Sequence, residues 1–122
     1  MDEPFDEAVK EASRLDGALG AAIVDYRSGE ALSRLETGID MKVAGSGAAD
    51  VIEGIVTTLS ARGSEELPGE IMVTLGAQYH LIYPLPDESQ GLRFLIVVLD
   101  RAGGGAIQLA RRRLTALVKS IS

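Results

Sequence analysis

Four groups of residues in this chain have the types that carry chemistry. They are the glycine run Gly103-Gly104-Gly105, the lone histidine His80, the acidic residues Glu65-Glu66, Asp87-Glu88 and Asp25, and the basic run Arg111-Arg112-Arg113. A glycine run that feeds a helix can cradle phosphate with backbone amides. Here Ala106-Ile107 follows the last glycine, where a P-loop requires Lys-Ser or Lys-Thr. A dinucleotide fingerprint fails as well, because no crossover and second parallel strand accompany the run. It reads as a flexible turn from strand to helix. His80 lies mid-strand between Tyr79 and Leu81. A general base needs a nucleophile or an orienting carboxylate, and zinc needs several ligands at compatible spacing. One histidine and no cysteine supply neither, so His80 reads as a side chain on a sheet face. The acidic residues fall in loops or at a strand end, where solvated turns are the plain reading. The arginine run reads either as a surface for an acidic partner or as a solvated helix face near the negative end of the helix dipole. The sequence therefore predicts no catalytic residue, no metal site and no cofactor.

The elements that position these residues follow from periodicity. Pro4 suits a first helical turn, and Phe5, Ala8, Val9, Ala12 and Leu15 recur at helical spacing until Asp16-Gly17 stops them. Leu19 to Asp25 and Glu30 to Glu36 read as strands joined by a Tyr26-Arg27-Ser28-Gly29 hairpin. In the second, Ala31, Ser33 and Leu35 alternate with Glu30, Leu32, Arg34 and Glu36, a charge content that suits a sheet edge. Asp40 is a candidate N-cap for the longest helix, Met41 to Arg62, closed by Gly63. Its apolar stripe is Met41, Ala44, Ala48, Val51, Ile52, Ile55, Val56 and Leu59.

Three apolar runs follow: Ile71 to Leu75, Tyr79 to Tyr83 and Leu92 to Leu99. Gly76-Ala77-Gln78 is too short for a crossover, so the first two form an antiparallel hairpin. All three read as apolar on both faces, and in the last Phe94, Ile96 and Val98 oppose Leu95, Val97 and Leu99. Strands of that kind need cover above and below. A final helix runs from Ala106 to Ile121 with Ile107, Ala110, Leu114, Leu117, Val118 and Ile121 inward. The order is α-β-β-α-β-β-β-α.

The long helix also contains Gly45, Gly47 and Gly54, each costing about 1 kcal/mol against alanine in a helix interior. Gly47, Val51, Gly54, Thr58 and Ala61 alternate steps of four and three, so they share one line of mostly small side chains. Such a line admits a second helix at close range. The competing reading is that the glycines fit the sheet beneath or fray the helix start.

Composition bounds the class. A length of 122 residues implies one domain, and 46% hydrophobic with 25% charged residues is the balance of an ordinary globular protein. The net charge of −6 argues against nucleic acid and against an anionic membrane surface. The segment MDEPFDEAVK is acidic and no apolar stretch follows it, so no secretory signal is expected. No apolar run approaches the roughly 20 residues that span a bilayer. The lack of cysteine fits the cytoplasm. Acidic Asp6, Glu7 and Glu11 at one end and basic Arg111, Arg112, Arg113 and Lys119 at the other invite side-by-side terminal helices, although exposed pairs contribute only about 0–1 kcal/mol.

The element order, DYRSGEAL, the long central helix, TLGAQYHLIYPL and LIVVLDRAGGGAIQLARRRL together resemble the Roadblock/LC7 family, and its small bacterial members most. The resemblance runs from Phe5 to Ile121. One departure is Gly103-Gly104-Gly105-Ala106, where many relatives have Asn-Leu at the start of the last helix. That leaves the helix less well capped and puts any contact there in doubt. The resemblance implies an α+β fold, a five-stranded antiparallel sheet between helices in the three-layer manner of profilin and longin domains. It also implies a homodimer pairing through the third strand and the central helix. Carried onto this chain, the interface is Gly47, Val51, Gly54, Thr58 and Ala61 with Ile71, Met72, Val73, Thr74 and Leu75. The family is regulatory: platforms for small Ras-like GTPases, and light chains or adaptors in larger complexes. A dimeric adaptor for a GTPase is thus the expected function, with no residue among Arg27, Arg34, Arg62 and Arg93 singled out as an arginine finger. Two other classes remain open at this point. One is a PAS-like small-molecule sensor, which needs a pocket between sheet and helices; the other is an enzyme, for which the constellations are missing.

Overall fold

The structure, a computed structural model, describes residues 3–66, 68–85, 93–103 and 106–121. Its elements are α1 (Glu3–Ser13), β1 (Ala18–Asp25), β2 (Ala31–Glu36), α2 (Met41–Ala61), β3 (Ile71–Thr74), β4 (Gln78–Pro84), β5 (Arg93–Asp100), a 3-10 turn at Arg101–Gly103, and α3 (Ile107–Ser120). The strands make one five-stranded sheet in the order β2-β1-β5-β4-β3, antiparallel throughout.

The alternation in β5 organises the layers. Phe94, Ile96 and Val98 enter an apolar cluster with Met41, Ala48 and Ile52 of α2. Leu95, Val97 and Leu99 enter the opposite cluster with Val9 of α1 and Leu114 of α3. All six β5 side chains are buried, each contributing about 1.5–3 kcal/mol. The sheet therefore lies between α2 on one face and α1 with α3 on the other, the three-layer α+β arrangement expected from the sequence.

Local chemistry sets the boundaries. Asp25 Oδ1 accepts the N–H groups of Arg27 and Ser28, and Gly29 takes a φ of +73°, a conformation open to a residue without Cβ. Beyond this turn β2 departs from simple alternation. Ile23 pairs with Ser33 but Val24 pairs with Ala31, so Leu32 is an extra residue in a bulge. Ala31 consequently sits opposite Val24 on the α2 side, while Ser33 and Leu35 sit opposite Ile23 and Ala21 on the other. The expected common face for Ala31, Ser33 and Leu35 is corrected by that inserted residue.

Asp40 caps α2 by accepting from Lys42 N and Val43 N, and Glu36 accepts from Met41 N at 2.6 Å. The helix ends at Ala61, with Arg62 as its C-cap. Its apolar stripe is only partly covered. Met41, Ala48 and Ile52 are buried, Ala44, Ile55, Val56 and Leu59 half-buried, and Val51 is 40% exposed. The helix lies closest to β1 and β2.

β3 also differs from expectation. It ends at Thr74, and Leu75 belongs to the turn, where its N–H donates to the Gln78 carbonyl. β4 and β5 are buried on both faces, but β3 is the sheet edge and Met72 is 42% exposed. Helices cover the faces of a sheet, and among the described residues none packs extensively against β3.

Candidate interaction surface

The surface that the sequence singles out is built from α2 and β3. Every member of the helix line, Gly47, Val51, Gly54, Thr58 and Ala61, is exposed. The glycines of α2 divide into two kinds. A Cβ on Gly45 would stand 2.8 Å from Val24 Cγ2, so Gly45 is where the helix presses on the sheet. A Cβ on Gly47 or Gly54 would meet nothing within 4 Å. The competing reading therefore holds for Gly45, while Gly47 and Gly54 do not fit the sheet at all. Thr58 turns its hydroxyl back to the Gly54 carbonyl at 2.8 Å, which withdraws that polar group from the outer side of the line.

On β3, register places Val73 opposite His80 and Ile71 opposite Ile82, so Ile71 and Val73 share the α2-side face. Both are half-buried; Met72 and Thr74, on the α1 side, are exposed, as is Leu75 beyond the strand end. Leu75 bonds β4 through its N–H. The two-residue alternation of an antiparallel ladder then turns the backbone of Met72 and Thr74 outward. The predicted residues thus form an open strand edge and an uncovered helix flank.

His80 stands on the same face, one strand inward. Its Nε2 is 2.9 Å from Gln78 Oε1, and burial holds its pKa below the ordinary imidazole value. No nucleophile or carboxylate accompanies it in those contacts. The residues flanking the glycine run are placed by local contacts. Asp100 accepts from Ala102 N, Arg101 bonds the Leu75 carbonyl at 2.6 Å and covers the Tyr79 ring, and Ala106 caps α3 without a side-chain hydrogen bond. Glu65 and Glu66 are exposed. Asp87-Glu88, Gly104 and Gly105 lie outside the described residues. Among the described residues no group of three or more His, Cys, Asp or Glu side chains could hold a metal ion, and no helix is long and apolar enough to cross a membrane.

One constellation has no sequence signal. Arg111 of α3 grips Glu70 through Nε and Nη2, the shortest contact being 2.6 Å, and Tyr83 donates its hydroxyl to the same carboxylate at 2.6 Å. The Arg111 hydrogen bonds lower the Glu70 pKa against the opposing effect of burial, with the Tyr83 bond adding to the lowering. Burial first, then the Glu70 carboxylate, pushes the Tyr83 phenol up. Glu70 directly precedes β3, so this strut fixes the start of the edge strand. Arg111 thereby belongs to the fold, and Arg112 and Arg113 remain exposed. α1 and α3 are neighbours on one face as their opposite charges suggested; the ion pairs Lys10–Glu7 and Arg14–Glu11 are local to α1 and the turn that ends it.

Between sheet and helices, apolar side chains pack both faces, and the hollow bounded by Leu15, Tyr79, Leu99 and Ile107 holds about 40 Å³, against at least about 300 Å³ for a typical ligand site. A wider groove of about 470 Å³ runs between α1 and α3 along Ala12, Leu15, Leu114 and Leu117, open to solvent.

Solved structures share this architecture. Myxococcus xanthus MglB superposes with a TM-score of 0.78 at 14% identity, covering 98% of this chain and 92% of that one. A Roadblock/LC7 domain from Streptomyces avermitilis gives 0.74 at 16%, covering 95% and 92%. The chain has the Roadblock/LC7 fold. The gliding protein MglB from Thermus thermophilus, at 0.73 and 15% identity over 99% and 92% of the two chains, shares it too. No protein-family model and no curated protein matches the sequence. At these identities the Roadblock/LC7 likeness is one of fold, and the residues must carry the rest.

Proposed function

We propose that this protein is a single-domain, non-catalytic, dimeric adaptor that binds and regulates a small Ras-like GTPase in the cytoplasm. The observation that carries the reading is the pair Gly47 and Gly54. Both sit in helix interior, both face open space, and both lower helix stability by about 1 kcal/mol with no return inside one copy. A second copy of α2 laid along the line gives that smoothness a use. The open β3 edge offers the accompanying strand pairing, with the backbone of Met72 and Thr74 available. Gly47, Val51, Gly54, Thr58 and Ala61 would then form the helix seam, and Ile71 to Leu75 the strand seam. The GTPase is what the Roadblock/LC7 resemblance implies, and the shared Roadblock/LC7 fold supports the same reading.

The test is retention. Purified protein is immobilised and exposed to lysate of its own source, with and without GTP. The expected result is a Ras-like GTPase, held more strongly in GTP. Capture of a structural complex or kinase regardless of nucleotide would remove the GTPase and leave a general adaptor.

A further inference from the structure

The far edge of the sheet, away from β3, carries a second surface. β2 has β1 on one side and, among the described residues, no strand on the other. Thr37 donates its N–H to the Leu19 carbonyl. The ladder's alternation then directs Leu35 and Ser33 toward β1 and turns the backbone of Arg34 and Glu36 outward. The side chains along this edge are not those of a strand closed to partners. Leu32 and Leu35 are 46% and 40% exposed, and Val43, at the adjoining start of α2, is 68% exposed.

Charge distinguishes this edge further. Arg34 and Lys42 line both grooves between β2 and the start of α2. Both are exposed, and among the described residues neither has an ion pair or a side-chain hydrogen bond. Glu36 and Asp40 share the second groove, but both carboxylates face the positive end of α2, Glu36 accepting from Met41 N and Asp40 from Lys42 N and Val43 N, which offsets their charge. Glu30 lines only the hairpin end. A chain of net charge −6 thus leaves two unpaired cations beside an open strand edge. The two faces of the edge ask for different chemistry. Arg34 faces the α2 side with Lys42, whereas Leu35, opposite Ala21, faces the α1 side.

We propose that the β2 edge takes up an extended acidic segment of a partner protein as an added strand, its carboxylates directed to Arg34 and Lys42 and its alternate apolar side chains to Leu35. Strand addition supplies backbone hydrogen bonds, and the alternation of an extended chain matches the two-faced edge. The Leu32 bulge limits pairing to the stretch that follows it. The inference is independent of the β3 edge and of any GTPase.

The probe is a short fluorescent peptide of alternating valine and glutamate, followed by anisotropy. The protein should bind it with an affinity that falls as salt rises, and should bind the valine–lysine counterpart much more weakly. The double substitution Arg34→Glu with Lys42→Glu should weaken binding at least about tenfold. An unchanged unfolding temperature would show that the variant is folded. Alternate N-methylation of the valine–glutamate peptide removes the hydrogen-bonding edge without altering charge, and should weaken binding as well. No binding of the glutamate peptide, equal binding of the lysine peptide, or indifference to N-methylation would each overturn the proposal. So would a β2-mediated self-association, seen as a change in solution mass in the double variant. Because no nucleotide or GTPase is present, none of these outcomes bears on the adaptor reading.

Discussion

Single residues in α2 make opposite demands on a methyl group. At Gly45 the new Cβ would meet Val24 Cγ2, a buried branched side chain with no room to swing aside. Gly45→Ala should therefore destabilise the fold by about 1–3 kcal/mol, as overpacking does. At Gly47 the same change meets nothing and should stabilise a single copy by up to about 1 kcal/mol. Urea unfolding at dilute protein concentration measures both, and equal effects of one sign would contradict this division. Two titrating residues give a pH profile in separate windows. Burial depresses His80 from 6.5, so the unfolded chain takes the proton first. Stability is full above that value and falls as pH drops below it. Glu70 is depressed from 4.5 by Arg111 and Tyr83, so its contribution is full above 4.5 and fades as pH falls below. His80→Gln should flatten the upper window alone and Glu70→Gln the lower alone, read as urea midpoints against pH.

At the scale of elements, most of the architecture was legible because each pattern had one outlet. The β5 alternation could be satisfied only between two apolar layers, and that is where Phe94 and Leu95 went. Asp40 and Gly63 marked the ends of α2 because backbone groups at helix ends need those chemistries. What the sequence concealed depends on partners far along the chain. The Leu32 bulge is a matter of pairing between strands, and hydrophobic alternation has no symbol for an inserted residue. The edge position of β3 was masked because Ile71, Met72 and Val73 are as apolar as a central strand. The Glu70–Arg111–Tyr83 strut joins a loop, a helix and a strand, and neither Glu70 nor Arg111 stands out from other surface charges. On the candidate interface, the small-residue line was visible in its spacing. Which of the α2 glycines faced the sheet was not, since Gly45 and Gly47 differ only by their angle on the helix.

For the whole molecule, the proposed dimer sets stability against concentration. An assembly that forms only from folded copies raises the unfolding temperature as protein concentration rises. Two substitutions separate pairing from folding. Thr74→Pro removes an outward N–H and leaves the β4 ladder intact, as proline at a strand edge can; Gly54→Leu fills the helix line. Each should lower the solution mass toward one copy at dilute concentration and remove the concentration dependence. A native-like far-ultraviolet spectrum would show that the fold survives. Unchanged mass in both variants would place the pairing surface elsewhere.

The strand order has a consequence for how the molecule is made. Among the described residues β5 follows the other four strands in sequence, yet it alone bridges the β2-β1 pair and the β4-β3 pair. Without β5 the sheet divides into two hairpins, each marginal by itself and each with an inner edge that has no strand to bind. The last strand then closes both gaps at once, buried on its two faces and bonded along its two sides. A chain severed between Pro84 and Arg93 would leave two half-sheets with unpaired inner edges, the kind of species that aggregates or draws chaperones.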